Sequence, residues 1–188
     1  MDIFDAIANS KASNKSDNFR DGKGIALIEQ CIHENMNEGP TFVGRFKILH
    51  SESKGDLDPK TKQPVAPNAA GSRVGWPQKL AKFKSALGNV KAMILNTLGM
   101  KEAEVSPDDF KATYREATGA AQPFRGFIVT YETYQQAVRA GVNAGQVNTY
   151  VRFGHVGQDP KATPVGGNTK EEIAKRRADL DKEAPLDR

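Results

Sequence analysis

Between Gly24 and Val156 the chain carries five strand-like runs, with one long helical pattern between the third and the fourth. The clearest run is Thr41 to His50. Phe42, Gly44, Phe46 and Ile48 fall on one side of a two-residue repeat, and Val43, Arg45, Lys47 and Leu49 on the other. The first set reads as core, with Gly44 placed where a strongly bent strand would coil. The run before it, Gly24 to His33, is apolar on both faces, as in a central strand. The third, Ser72 to Trp76, is short and is closed by Pro77. From Lys82 the period changes. Phe83, Leu87, Val90, Ile94 and Leu98 recur at three- and four-residue steps, which predicts an amphipathic helix with Gly99 as its stop. Ser106-Pro107-Asp108-Asp109 predicts a second helix, ending near Gly119. It offers a side-chain cap, a proline suited to the first turn, and two carboxylates at the positive helix end. Residues 124–134 and 149–153 read as the last two strands, a hairpin with a long connection.

Three strands, a helical crossing and a closing hairpin are the layout of the OB type, whose members bind oligonucleotides and oligosaccharides across one face. The predicted fold class is mainly β with α: a five-stranded OB-like barrel with a helix pair between strands 3 and 4, and flexible N- and C-terminal extensions. The domain is expected over residues 22–157. Residues 1–21 form a flexible lead-in, with one or two helical turns over residues 2–9. Residues 158–188 form a mobile charged tail, whose stretch from Lys170 to Asp181 has helix propensity but few apolar anchors. Residues 51–70 make a long loop with three prolines, of the kind that is functional or disordered.

A chain of 188 residues buries a core of useful size. Its hydrophobic fraction of 38% and mean hydropathy of −0.59 suit polar ends around a folded middle. The single cysteine, Cys31, excludes an intramolecular disulfide and points to a reducing compartment. Asp2 and Asp5 are unlike a signal peptide, and no run approaches the roughly 20 apolar residues of a membrane span. A soluble, cytoplasmic protein with no membrane partner is expected. Catalysis lacks a constellation. His33, His50 and His155 are far apart, and Cys31 with His33 is too few for zinc. There is neither a phosphate loop nor a nucleophile elbow. Asp56 and Asp58 could hold a metal, but a turn-forming Asp-Pro step is the plainer account. No catalytic residue, metal site or cofactor is therefore expected, and the chain reads as a non-enzyme.

Nucleic-acid binding fits the charge better. The formal net charge is +4 and the pI about 9.1, a mild bias toward polyanions. From Arg73 to Lys91 the charged residues are Arg73, Lys79, Lys82, Lys84 and Lys91, with no acid among them. Arg45 and Lys47 lie on the outward side of the second strand, and Arg125 and Arg152 on the last hairpin. Single-strand binders combine such a basic groove with rings that stack on bases. The candidate rings are Trp76, Tyr131, Tyr134 and Tyr150. Tyr131 alternates with Phe127 and Val129 and reads as core. Trp76 reads either as barrel filling or as a stacking surface. Tyr150 shares a strand face with Arg152, while Val151 and Phe153 take the core-like face. The candidate interface is thus Arg45, Lys47, Arg73, Trp76, Lys79, Lys82, Arg125, Tyr150 and Arg152. The plainer account of the basic stretch is a solvated helix face.

Several short segments carry a resemblance. They are Gly22-Lys23-Gly24-Ile25-Ala26-Leu27-Ile28, the run from Phe42 to Ser53, Gly71 to Trp76, Ala86 to Ala92, and Arg125-Gly126. Across residues 22–156 they make the chain resemble phage-encoded single-stranded-DNA-binding proteins of the OB fold. The resemblance implies a protein that coats single-stranded DNA in phage replication or recombination, without catalysis, in the host cytoplasm. Replication or recombination proteins and a homo-oligomer are further partner expectations. Many members end in an acidic tail that recruits partners. Here the tail, through Lys175-Arg176-Arg177 and Asp179 to Arg188, is mixed in sign, which puts that recruitment in doubt. The alternative is a phage structural or assembly protein that uses an OB-like barrel as scaffold, because the fold alone does not decide function.

Overall fold

The alternation over Thr41–His50 becomes the middle of a long strand in the computed structural model, which describes residues 17–37, 39–58, 61–82, 84–137, 147–156 and 167–183. The helical turns expected over residues 2–9 lie outside the described residues. The strands are β1 (Asp17–Asn18), β2 (Lys23–Met36), β3 (Gly39–Glu52), β4 (Arg73–Lys79), β5 (Ile128–Ala137) and β6 (Val147–His155). The described helices are α1 (Lys84–Leu98), α2 (Pro107–Thr118) and α3 (Lys170–Lys182), with a short 3-10 turn at Glu102–Glu104. The protein is mainly β. Strands β4-β3-β2-β5-β6 form an antiparallel sheet, and β1 adds a short parallel edge to β4.

The inner face of the sheet is the main core. β3 supplies Phe42, Phe46 and Ile48, β4 Val74 and Trp76, β5 Val129 and Tyr131, and β6 Phe153. Each such side chain contributes about 1.5–3 kcal/mol on burial. Rings from distant strands meet there. Phe46 and Phe153 stack at 5.1 Å, and Trp76 meets Phe153 edge-on at 4.9 Å. The sheet therefore curls until its two ends touch through side chains. Gly44 is needed for this packing rather than for a turn, because a Cβ there would lie 2.7 Å from the Phe46 ring. Among the described residues no backbone pairing joins β4 to β6, so the expected five antiparallel strands, with the short β1 added at one edge, are not closed into a barrel.

α1 covers the inner face with Ala86, Val90, Met93 and Ile94. Leu87, expected on that stripe, is 56% exposed, because the buried stripe runs through Ala86 and Met93 instead. Gly99, at φ +68°, ends α1 by donating to the Asn96 carbonyl at 3.2 Å, while Met100 donates to the Leu95 carbonyl at 2.9 Å. α2 begins where the capping signature places it, with Ser106 Oγ accepting from the Asp109 amide at 3.2 Å.

Both extensions contribute packed residues. Asp17 and Asn18 pair with Val74 and Gly75, and Phe19 is 5% exposed among Phe46, Tyr131 and Phe153. One large ring is enough to anchor an otherwise polar lead-in. Residues 167–183, expected within a mobile tail, hold a helix instead. Ile173 and Leu180 lie two turns apart on one face of α3 and are both buried. Leu180 joins Ile25, Leu27, Ile128 and Val156 in a second cluster on the outer face of the sheet. β2 is thus buried on both faces, with register shifts at Ile25/Ala26 and Ile28/Gln30.

Polar docking compensates for the few apolar anchors of α3. Asn168 bonds the backbone of Ile128 in both directions, at 2.8 and 2.9 Å. Arg176 donates to the Gly126 carbonyl at 2.9 Å and Arg177 to the Arg125 carbonyl at 2.6 Å. Arg125-Gly126 is therefore a turn that receives α3 and does not open a strand, and β5 starts at Ile128. A Cβ on Gly126, at φ +90°, would sit 3.0 Å from the Ile173 carbonyl oxygen. β4 continues through Pro77 to Lys79. A proline without an N–H is tolerated there because β1 pairs with that edge only at Val74 and Gly75.

Candidate nucleic-acid interface

The nine residues singled out in the sequence fall into separate places. Arg45, Lys47 and Arg73 point outward from β3 and β4, and Arg125 lies beside them on the α3-docking turn. Arg45, Arg73 and Arg125 border a cleft of about 920 Å³ together with Arg177, but Glu29, Glu34, Asp181 and Glu183 border it too. Arg45 donates to Gln30 Oε1 at 3.0 Å. Lys47 pairs with Glu183. Arg73 pairs with Glu29 at 2.9 Å and with Glu183 at 2.6 Å, and Arg125 with Asp181 at 2.6 Å. The hydrogen bond from Lys47, and then Arg73, holds the Glu183 carboxyl below the ordinary glutamate range. Burial disfavours the charged Arg73, but Glu29 and then Glu183 outweigh it and raise its pKa. Lys47, Arg73 and Arg125 thus form a charged seam between the sheet side and the C-terminal end of α3.

A different arrangement lies across β5 and β6. Tyr134 and Tyr150 are register partners, so their side chains leave the same face side by side. Their rings stack at 5.5 Å with planes 22° apart. The Arg152 guanidinium lies 4.4 Å from the Tyr134 ring centroid. Both rings are half-buried and Arg152 is exposed. The neighbouring Glu132 pairs with Lys54 at 2.7 Å, and the hydrogen bond from Lys54 lowers its pKa. Tyr131 is core, as its alternation predicts, with its hydroxyl donating to Ser51 Oγ at 2.7 Å.

Tyr150 also borders a second cleft, of about 530 Å³, where β4 and β6 face each other. It is lined from β4 by Trp76 to Lys79, from α1 by Ser85 and Asn89, and from β6 by Val147 to Val151. Trp76 is 6% exposed and packs against Phe42 and Phe153, which favours its core reading, and it also lines the cleft. Lys79 lines this cleft, and Lys82 follows in the turn before α1. Arg73 and Lys79, neighbours in a charge count, stand at opposite ends of β4. The structure thus joins Tyr150, Arg152 and Lys79 with Tyr134, and separates them from Arg45, Lys47, Arg73 and Arg125. The amides of the cleft, Asn18, Gln78, Asn89 and Asn148, come from four elements and follow no sequence spacing that could have exposed them.

Other candidates have structural roles. Cys31 is fully buried, and burial pushes its thiol up to about 12. Gln122 bonds both the N–H and the carbonyl of Cys31 at 2.8 Å, and His33 turns outward to the Tyr114 hydroxyl at 2.6 Å. Asp58 accepts from the Thr61 amide at 2.7 Å, a turn contact. Asp56 meets Asp21 instead. Burial opposes ionisation of Asp21, but hydrogen bonds from Ser53, Asp56 and the Lys54 amide hold it below the usual range, while burial and Asp21 push Asp56 up. Among the described residues no group of three or more His, Cys, Asp or Glu is placed to hold a metal ion, and no helix is long and apolar enough to cross a membrane. No protein-family model and no curated protein matches the chain.

Proposed function

We propose that this chain is a non-catalytic single-stranded-DNA-binding protein of OB-like architecture, acting in phage replication or recombination. In this reading it binds along the β5–β6 face and the adjoining end of β4. The observation that carries the proposal is the outward Tyr134–Tyr150 stack, flanked by Arg152 and continuous with the cleft at Lys79. Tyr134 stands between Tyr150 and Arg152, and the partly exposed stack offers π surface that an unpaired base can extend, with nearby cations to meet the phosphates. A duplex keeps its bases stacked on one another and leaves such a platform idle. Lys47, Arg73 and Arg125 have a different role here, because each already pairs with a carboxylate at the C-terminal end of α3, and Arg45 bonds Gln30 within the sheet.

Fluorescence anisotropy with labelled oligo-dT, oligo-U and duplex DNA at two salt concentrations tests this. Oligo-dT should bind more tightly than duplex, and its affinity should fall with salt by about 0.7 log units per log unit for each phosphate contact. Equal binding of duplex and single strand, or none at all, would sink the proposal. The oligo-U arm decides between a DNA and an RNA ligand.

A further inference from the structure

The two ends of the sheet face each other across the cleft that Trp76 floors. Beyond Gly75 the outer edge of β4 has no strand partner among the described residues, and β6 pairs only with β5. The space of about 530 Å³ lies within the roughly 300–1,000 Å³ typical of small-ligand clefts. Its lining has a clear division of labour. Phe19 and Trp76 supply an aromatic floor. Asn18, Gln78, Asn89 and Asn148 bring four amides to the walls and rim. Among the described residues that line it, Lys79 is the only charged one.

We propose that this cleft receives one unstacked nucleobase of the bound single strand. The inference rests on the single-strand-binding reading above and adds a second, enclosed base site to it. A nucleobase is flat and apolar on its faces and polar at its edge, which matches an aromatic floor with amide walls. Asn89 donates to Gln78 Oε1 at 3.2 Å and Gln78 to the Pro77 carbonyl at 2.9 Å, but each amide has two donor hydrogens and an acceptor with two lone pairs, so capacity remains for the edge of any base without selection among them. A neutral base suits a lining that has no carboxylate among the described residues, and the Lys79 cation suits the phosphate that follows it.

Tyr150 belongs to both places. It stacks on Tyr134 outside and lines the cleft, so a strand crossing the tyrosines arrives at the opening. An added peptide strand fits less well. Pro77 has no N–H, so the β4 edge lacks a donor in the middle of the gap, and edge prolines discourage strand addition. The acid-rich cleft beside α3 offers no equivalent, because four carboxylates share its walls.

Trp76 is the only tryptophan, so its emission reports on the cleft floor. The full chain is titrated with oligo-dT of about 12 nucleotides, inside the site sizes of single-strand binders, and with an abasic oligomer of equal length. Anisotropy and Trp76 emission are read together. Oligo-dT should quench Trp76 saturably; the abasic oligomer should bind more weakly and leave emission unchanged. Ser85→Phe places a ring in the cleft mouth from the exposed start of α1. It should remove the quenching and weaken oligo-dT about tenfold, with unchanged melting temperature and unchanged affinity for the abasic oligomer. Asn148→Phe, from the exposed side of β6, should do the same and serves if Ser85→Phe does not fold. Binding of oligo-dT with no change in Trp76 emission, or quenching that survives the variants, would overturn the base site and leave the tyrosine interface standing. Absence of any anisotropy change would overturn the interface and the base site together.

Discussion

Arg73 of β4 donates its Nε to the carboxylate of Glu29 on β2, at 2.9 and 3.1 Å, and only 4% of the Glu29 side chain is exposed. An acid buried to that extent depends on its partner. Arg73→Ala should therefore destabilise the fold, toward the low end of the about 3–5 kcal/mol seen when a buried pair loses one member, since Arg73 itself is partly exposed. It should leave the salt dependence of oligo-dT binding unchanged. Lys79→Ala should lower the salt slope by about 0.7. Urea titration and salt-dependent anisotropy on the two variants check the pair. A slope lowered by Arg73→Ala would move the phosphate path to the α3 seam.

Tyr134 and Tyr150 should behave as a binding surface and not as core. Each →Ala change should weaken oligo-dT by about 1–3 kcal/mol, whereas Phe should keep most of the affinity, because stacking needs a ring and not a hydroxyl. Phe19→Ala, which empties a site among Phe46, Tyr131 and Phe153, should cost about 3–5 kcal/mol of stability instead. Melting and anisotropy on the same samples distinguish the two outcomes.

Removing residues 167–188 should destabilise the domain rather than trim a tail. It uncovers Ile25, Leu27, Ile128 and Val156 and loses the burial of Ile173 and Leu180, each worth about 1.5–3 kcal/mol. A truncated protein with an unchanged urea midpoint would show that α3 adds nothing to the fold.

Acid should loosen the same helix. Glu183 has a folded-state pKa below the ordinary glutamate value, so its contribution is present at neutral pH and is lost as pH falls from about 4.3 through that lowered value. Melting temperatures from pH 7 downward should fall less steeply in Glu183→Gln than in the parent. Identical profiles would mean that the contacts with Lys47 and Arg73 add nothing to stability.

Cys31 should be inert in the native protein. A buried thiol raised to about 12 presents almost no thiolate at pH 8. A thiol reagent should react only as fast as the protein opens, and at once in denaturant. Fast labelling of the native form would contradict its burial.

Local chemistry was enough for much of the fold. The two-residue alternation of β3 named Phe42, Phe46 and Ile48 as core, since side-chain direction in a strand depends only on position. Ser106 and Gly99 marked helix ends because caps act within a few residues. The shared face of Tyr150 and Arg152 was legible for the same reason, and their stack with Tyr134 extends it. What remained hidden depended on contacts between residues far apart in sequence. The weight of α3 rests on two apolar residues and on bonds to Ile128 and Gly126, 40 and 50 positions away. The use of Arg73 depended on Glu29 and Glu183, which no charge count could assign to it. Trp76 became core because curling brought Phe153 to it from the opposite end of the sheet, and curling is a property of the whole sheet rather than of any one strand.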